Sequence, residues 1–197
     1  MTGRPPPGRA GRIWLAERIA TAGRAAELLE HKQELLRRER RRLAELAERT
    51  EREWRARAAT ADRWNARALV AGGREELRRV AGRMGGAEVR LEWASRAGVA
   101  YPATAAVSSP PAPAALSPAV AAAAEACRRA LDAGVQHAAT ATALGRVDAE
   151  LVATVRRLRA IRDRWLPELR ERLAALELGL EETEREEVTR LRWAGAT

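Results

Sequence analysis

Polar and apolar positions along this chain fall into two long segments with a seven-residue repeat, separated by a stretch that lacks it. In the first segment Leu15, Ala22, Leu29, Leu36, Leu43 and Thr50 recur at every seventh position. Ile19, Ala26, Gln33, Arg40, Ala47, Trp54, Ala61 and Ala68 interleave as the second seam position. Steps of three and four keep one narrow stripe of a helix turned toward a partner helix, here over roughly seven heptads. The second segment reads Leu151, Val155, Leu158, Ile161, Trp165, Leu169, Leu173, Leu176 and Leu180. The pattern predicts an all-α fold in which the N- and C-terminal helices form a long antiparallel two-helix coiled coil. A small β-hairpin and loop insertion is predicted at the fold-back end.

The breaks place the boundaries. Residues 1–11 are Pro- and Gly-rich, lack the apolar run of a secretory signal, and read as a disordered lead-in. A first helix over 12–84 starts near Arg12 and loses its pattern at Gly72-Gly73 and again at Gly82, Gly85 and Gly86. Residues 12–71 would span roughly 90 Å as a helix. After Gly86 the period becomes two, with Val89, Leu91 and Trp93 on one side, a turn at Ala94 to Gly98, and then Val99 to Pro102. Pro110, Pro111, Pro113 and Pro118 mark a loop, so 85–117 is assigned to hairpin and loop. Ser117-Pro118 is a helix start, with Ser as N-cap and Pro at the first helical position. The second helix is predicted over 118–193, with Gly134 and the Ala/Thr stretch around Ala138 to Ala143 as weak points, and 194–197 as a tail. Pro167 lies inside it and predicts a kink, because proline removes one backbone hydrogen bond.

Composition narrows the architecture. The chain has 197 residues, no Phe, a single Tyr and 32% charged residues. Ala, Glu, Leu and Arg dominate the periodic stretches, which suits a narrow seam better than a thick core. The net charge of +9 is uneven: residues 1–84 hold 21 Arg or Lys against 12 Asp or Glu, and the remainder holds 15 against 15. The excess concentrates at Arg37, Arg38, Arg40, Arg41 and Arg42, which is either a solvated face or a surface for an acidic partner. One cysteine, Cys127, excludes an intramolecular disulfide framework, and no run of about 18 apolar residues is present to span a membrane.

Catalytic signatures are missing. The lone Lys, Lys32, lacks the Gly-rich run of a phosphate loop. His31 and His137, with one cysteine, do not make a recognisable zinc pattern. No cofactor is implied. Trp54 and Trp165 fall on seams and read as core, whereas Trp14 and Trp193, near the two ends, suit a partner contact as well as self-packing.

Four stretches carry a family resemblance. Arg156, Arg157, Leu158, Arg159, Ala160, Ile161 and Arg162, followed by Leu166, Pro167 and Leu169, resemble the Arg-Arg-Val-Asn-Ala-Leu-Glu…Ile-Pro-x-Leu signature of the D subunit of the V-type/A-type rotary ATPases. Leu180 to Glu186 resembles that family's Leu-Glu-Glu-x-Glu-Arg-Glu. Gly23 through Arg37 resembles its Gly…Leu-Leu-x-x-Lys-x-x-Glu-Leu pattern, and Gly98, Val99 and Pro102 its Gly-Val-x-x-Pro hairpin. Arg159 and Arg162 depart from the signature, which has Asn and Glu there.

The resemblance implies a non-catalytic central rotor shaft that couples ATP hydrolysis or synthesis to proton or sodium movement. Its implied partners are the A and B subunits of a catalytic hexamer, the F subunit, and a linker to the membrane ring (the d, or C, subunit). Nucleic acid and direct membrane insertion are not implied, and the location is cytoplasmic and peripheral to a membrane. An antiparallel pairing would bring Arg12, Trp14, Arg18, Arg190, Arg192 and Trp193 together as the surface facing the hexamer. Val89, Leu91, Gly98, Val99 and Pro102 would form a regulatory hairpin outside it. Two rival readings are the coiled-coil stalk of a secretion or flagellar export ATPase and an Arg-rich nucleic-acid-binding coiled coil. Against the latter, Glu39, Glu45, Glu48 and Glu51 interrupt the basic face.

Overall fold

A computed structural model of the chain describes residues 5–111, 114–115 and 117–194. It is 82% helical, with a long N-terminal helix, a long C-terminal helix and a two-stranded antiparallel hairpin between them. The elements are α1 (Gly8–Arg83), β1 (Glu88–Arg96), β2 (Val99–Ser108), α2 (Pro118–Arg159), a π-helical stretch (Ala160–Trp165) and α3 (Leu166–Ala194). Helix α1 begins at Gly8 rather than Arg12, so part of the expected lead-in is helical; Met1 to Arg4 lie outside the described residues. So do Pro113 of the predicted loop and residues 195–197 of the predicted tail. Among the described residues no helix is long and apolar enough to cross a membrane.

The chain divides into two compact units. A terminal unit holds the residues up to Glu34 and those from Val152 onward, and a hairpin unit holds Leu35–Leu151.

In the terminal unit the seam residues of α1 meet those of α3. Leu15, Ala22, Leu166 and Leu169 are buried together, flanked by Trp14, Ile19, Ile161, Leu173 and Leu176. A Cβ placed on Gly11 would sit 3.2 Å from Leu176 Cδ2, Arg9 reaches Glu184, and Glu30 pairs with Arg162. Partner numbers fall as α1 numbers rise, so the pair is antiparallel.

Pro167 acts through the turn before it. The Leu166 N–H donates to Ile161 O, five residues back, at the end of the π-helical stretch. Proline supplies no N–H and its ring crowds the carbonyl four residues earlier, and a wider turn is one way to relieve that crowding. The wider turn inserts one residue into the seam count. The apolar step from Ile161 therefore lands on Leu166, 8% exposed, and Trp165 leaves the seam at 40% exposed. Heptad counting puts Trp165 in the core because it allows no extra residue before the proline.

In the hairpin unit α1 and α2 pair antiparallel and the strands lie on them. Leu36 and Leu43 of α1, Ala143 and Val147 of α2, and Val99 and Tyr101 of β2 form one buried cluster. Ala68, Val80, Val120 and Ala123 form a second, flanked by Trp64 and Leu77. Trp54 is partly exposed, but it stacks on His137 with ring centroids 5.6 Å apart. Gly134 makes room for it, since a Cβ there would come within 3.1 Å of Trp54 Nε1. That glycine is a packing residue as well as a soft point in the helix.

Helix α1 is not continuous in conformation: Gly73 has φ 70° and ψ 172° inside it. Just beyond, buried Glu76 accepts a hydrogen bond from the Ser117 N–H at 2.8 Å, which ties the end of α1 to the start of α2. Ser117 O accepts from the N–H groups of Val120 and Ala121, as its place before the helix predicts.

Candidate partner-binding surfaces

The hairpin is longer and tighter than its sequence pattern suggests. Its turn is two residues, Ala97 and Gly98, with φ of 50° and 79°. Two positive φ values match a type I′ turn, whose twist agrees with that of the flanking strands. Register runs from Arg96↔Val99 to Glu88↔Ser108, with an irregularity between Glu92 and Trp93 that leaves Ala103 unpaired. The strands extend well past Pro102. They run back along the helix pair instead of staying at the fold-back end, so Tyr101 meets α1 near Leu36 and Leu43.

A polar latch fixes it there. The Tyr101 ring is 1% exposed, and its hydroxyl donates to Glu39 Oε1 at 2.6 Å. Arg42 Nη2 donates to the same oxygen at 2.6 Å. The Arg42 hydrogen bond, helped by that of Tyr101, holds the Glu39 carboxyl below its ordinary range. Burial, then the hydrogen bond to Glu39, pushes the Tyr101 phenol up. On the α2 side Arg146 donates to Ala100 O at 3.1 Å, and its guanidinium lies 5.0 Å from the centre of the Trp93 ring. Gln136 donates to Ala105 O. Helix, strand backbone and aromatic ring are thus linked on both sides.

Of the predicted hairpin residues, Gly98 makes the turn, and Val99 and Pro102 are buried. Val89 and Leu91 are 49% and 44% exposed, with Trp93 at 54% beside them. The alternating apolar face of β1 is therefore turned to solvent, while β2 supplies the packed face. The latch residues Glu39, Arg42 and Tyr101 had one sequence signal: a lone tyrosine alternating with Val99.

The predicted tip does not assemble as one surface. Trp14 packs into the terminal core with the Arg18 guanidinium 4.5 Å from its ring centre, and Arg12 is exposed nearby. Arg190 pairs with Glu186 at 3.3 Å, Arg192 is exposed, and Trp193 is 77% exposed. With Gly11 against Leu176, the turns from Arg12 to Ile19 face Leu166 to Leu176 and not Val188 to Trp193. The two helices do not end level with one another: α3 continues beyond Glu184, the residue that Arg9 reaches. Val188 and Leu191, 48% and 73% exposed, lie on that continuation with Trp193.

The signature residues divide by face. Leu158, Leu166 and Leu169 are buried, Ile161 and Pro167 are half-buried, and Arg156, Arg157 and Ala160 are exposed. The leucines thus build the terminal seam, and the arginines and Ala160 leave it.

The groove between α1 and α2 near Trp64, of ≈ 530 Å³, is lined also by Arg57, Glu125 and Arg129. Glu125 is bound by Arg128 and Arg129, in that order the causes of its lowered pKa. Among the described residues no group of three or more His, Cys, Asp or Glu side chains converges on a point where a metal ion could sit.

Helices paired antiparallel, with a two-stranded hairpin strapped onto them, are the architecture that these residues build. Residues 13–196 match the family of the ATP synthase D subunit, and the chain belongs to that family. Its members are structural stalk subunits of rotary ATPases. No curated protein matches the chain.

Proposed function

We propose that this chain is the central rotor shaft of a V/A-type ATPase, peripheral to the membrane. It couples ATP hydrolysis or synthesis in an A/B hexamer to proton or sodium movement through a membrane ring. The carrying observation is the family match together with a C-terminal helix that runs past its pairing partner and ends in exposed Val188, Leu191 and Trp193. A lone helix of this length is marginal in water, so those apolar side chains suit a socket formed by other subunits.

In this reading the A and B subunits surround the terminal unit, with Arg190, Arg192 and Trp193 leading and Arg12, Trp14 and Arg18 farther in. The F subunit and the linker (the d, or C, subunit) hold the rest, and the hairpin modulates rate from outside the ring. An asymmetric shaft presents a different surface to each of three otherwise equivalent sites, which is what turning ATP hydrolysis into rotation requires. Resistance to twisting comes from the paired helices, with weak side-wall contacts allowing sliding; exposed ion pairs contribute only about 0–1 kcal/mol each.

The test is reconstitution of the host complex in vesicles with and without the chain. Ion transport driven by ATP should require it, and a chain ending at Glu187 should assemble with the F subunit yet transport poorly. Transport that stays coupled without the chain would refute the shaft reading.

A further inference from the structure

The densest positive charge in the terminal unit lies around the π-helical stretch. Between Arg156 and Arg164 there are five arginines and one carboxylate, Asp163. All five arginines are exposed, because Thr154, Leu158 and Leu166 take the buried positions. Arg162 is engaged with Glu30 of α1. Next to them Trp165, displaced from the seam by the wide turn, is 40% exposed. Arginine beside an exposed tryptophan is the composition found at energetically dominant contact points.

We propose that the exposed stretch carrying Arg156, Arg159, Arg164 and Trp165 (the belt) is a docking surface for an acidic protein segment. The inference builds on the stalk reading by assigning a chemistry to one partner contact. Length argues for a short protein loop: residues 156–164 rise only about 13 Å along a helix axis. Composition argues against a polyphosphate backbone, since Glu27, Glu30 and Glu34 stand on the paired segment of α1 in the same unit. A continuous phosphate strand leaving the belt would meet those carboxylates, whereas a compact acidic loop need not. Such a contact holds position weakly, strengthens as salt falls, and steers encounter.

The test compares the full chain with Arg156→Gln/Arg159→Gln/Arg164→Gln, and with a control of equal charge loss, Arg49→Gln/Arg52→Gln/Arg55→Gln. Circular dichroism establishes that each folds. Binding to the A/B assembly freed of its own stalk is measured at low and moderate salt. The belt variant should bind about tenfold more weakly at low salt and lose much of the salt dependence, while the control stays near wild type. Equal losses in both variants, or none in the belt variant, would overturn the proposal.

A fluorescent hexaglutamate peptide and a duplex oligonucleotide are titrated in parallel. If the wild-type chain fails to bind the assembly, the stalk reading fails and the peptide decides the belt: binding that the belt variant abolishes supports it, and unchanged binding refutes it. Belt-dependent capture of the oligonucleotide without capture of the peptide would replace the acidic protein with nucleic acid.

Discussion

The two units bury their helix pairs in different ways. In the terminal unit α1 meets α3 through Leu15, Leu166 and Leu169, with nothing laid over the pair among the described residues, and α3 is exposed from Glu181 onward. In the hairpin unit the seam mixes Leu36, Leu43 and Val147 with the alanines Ala61, Ala68, Ala123, Ala139 and Ala143, and a third element covers part of it. An alanine seam buries little area, and apolar burial contributes about 25 cal/mol per Å². The hairpin adds burial by packing one tyrosine ring with Leu36, Leu43, Ala143 and Val147. Stability in the terminal unit thus rests on leucine contacts between two helices. In the hairpin unit it rests on an added strand and its polar latch.

Replacing Tyr101 with Ala should break the contrast most strongly. Loss of a buried aromatic side chain costs about 3–5 kcal/mol. Hydrogen exchange should quicken across β1 and β2 and leave residues 12–30 slow; uniform quickening would show that the units do not differ in this way.

The reciprocal change is Leu169→Ala, at about 2–4 kcal/mol because a two-helix seam can partly close. Here exchange should rise in α3 and the first turns of α1, while Tyr101 stays protected. Loss of hairpin protection in this variant would contradict the separation.

Titration probes the latch alone. The Glu39 carboxyl is lowered, so its stabilising contribution is present above the ordinary carboxylate range and lost as pH falls through the lowered value. The Tyr101 phenol is raised, so its contribution is present below the ordinary phenol range and lost as pH rises through the raised value. Hairpin protection should fail at both acid and alkaline extremes, and Tyr101→Phe should remove the alkaline limb at a cost of about 1 kcal/mol. An alkaline limb that survives in Tyr101→Phe would place its origin elsewhere.

Two smaller effects sharpen the picture. Thr154 is fully buried in the terminal unit, and its hydroxyl has no hydrogen-bond partner among the described residues. Thr154→Val keeps the shape, removes the unpaired group, and should raise stability by about 1 kcal/mol in thermal unfolding. Ala97→Asn places a residue tolerant of positive φ in the turn and should stabilise the hairpin by about 0.5 kcal/mol. A destabilised hairpin there would mean that the Ala97 methyl contact with the buried cluster outweighs the backbone strain.

Periodicity alone determined the two helix segments, their antiparallel return, the strand-like break after Gly86 and the helix start at Ser117-Pro118. Each is a local consequence of residue spacing or of proline and capping chemistry. Seam positions Leu15, Ala22, Leu36 and Leu43 were legible for the same reason: a fixed repeat on a regular helix fixes the buried face. Tertiary structure decided what a repeat cannot carry. The wide turn before Pro167 shifted the seam by one residue, exposing Trp165 and burying Leu166. The offset of α3 against α1 separated Trp14 from Trp193, because pairing register depends on the sum of contacts along both helices. The face of the hairpin that packs was settled by which strand could seat a ring between Leu43 and Val147, with Glu39 placed to receive its hydroxyl. Glu39 and Tyr101 stand 62 residues apart, a separation that no local pattern spans.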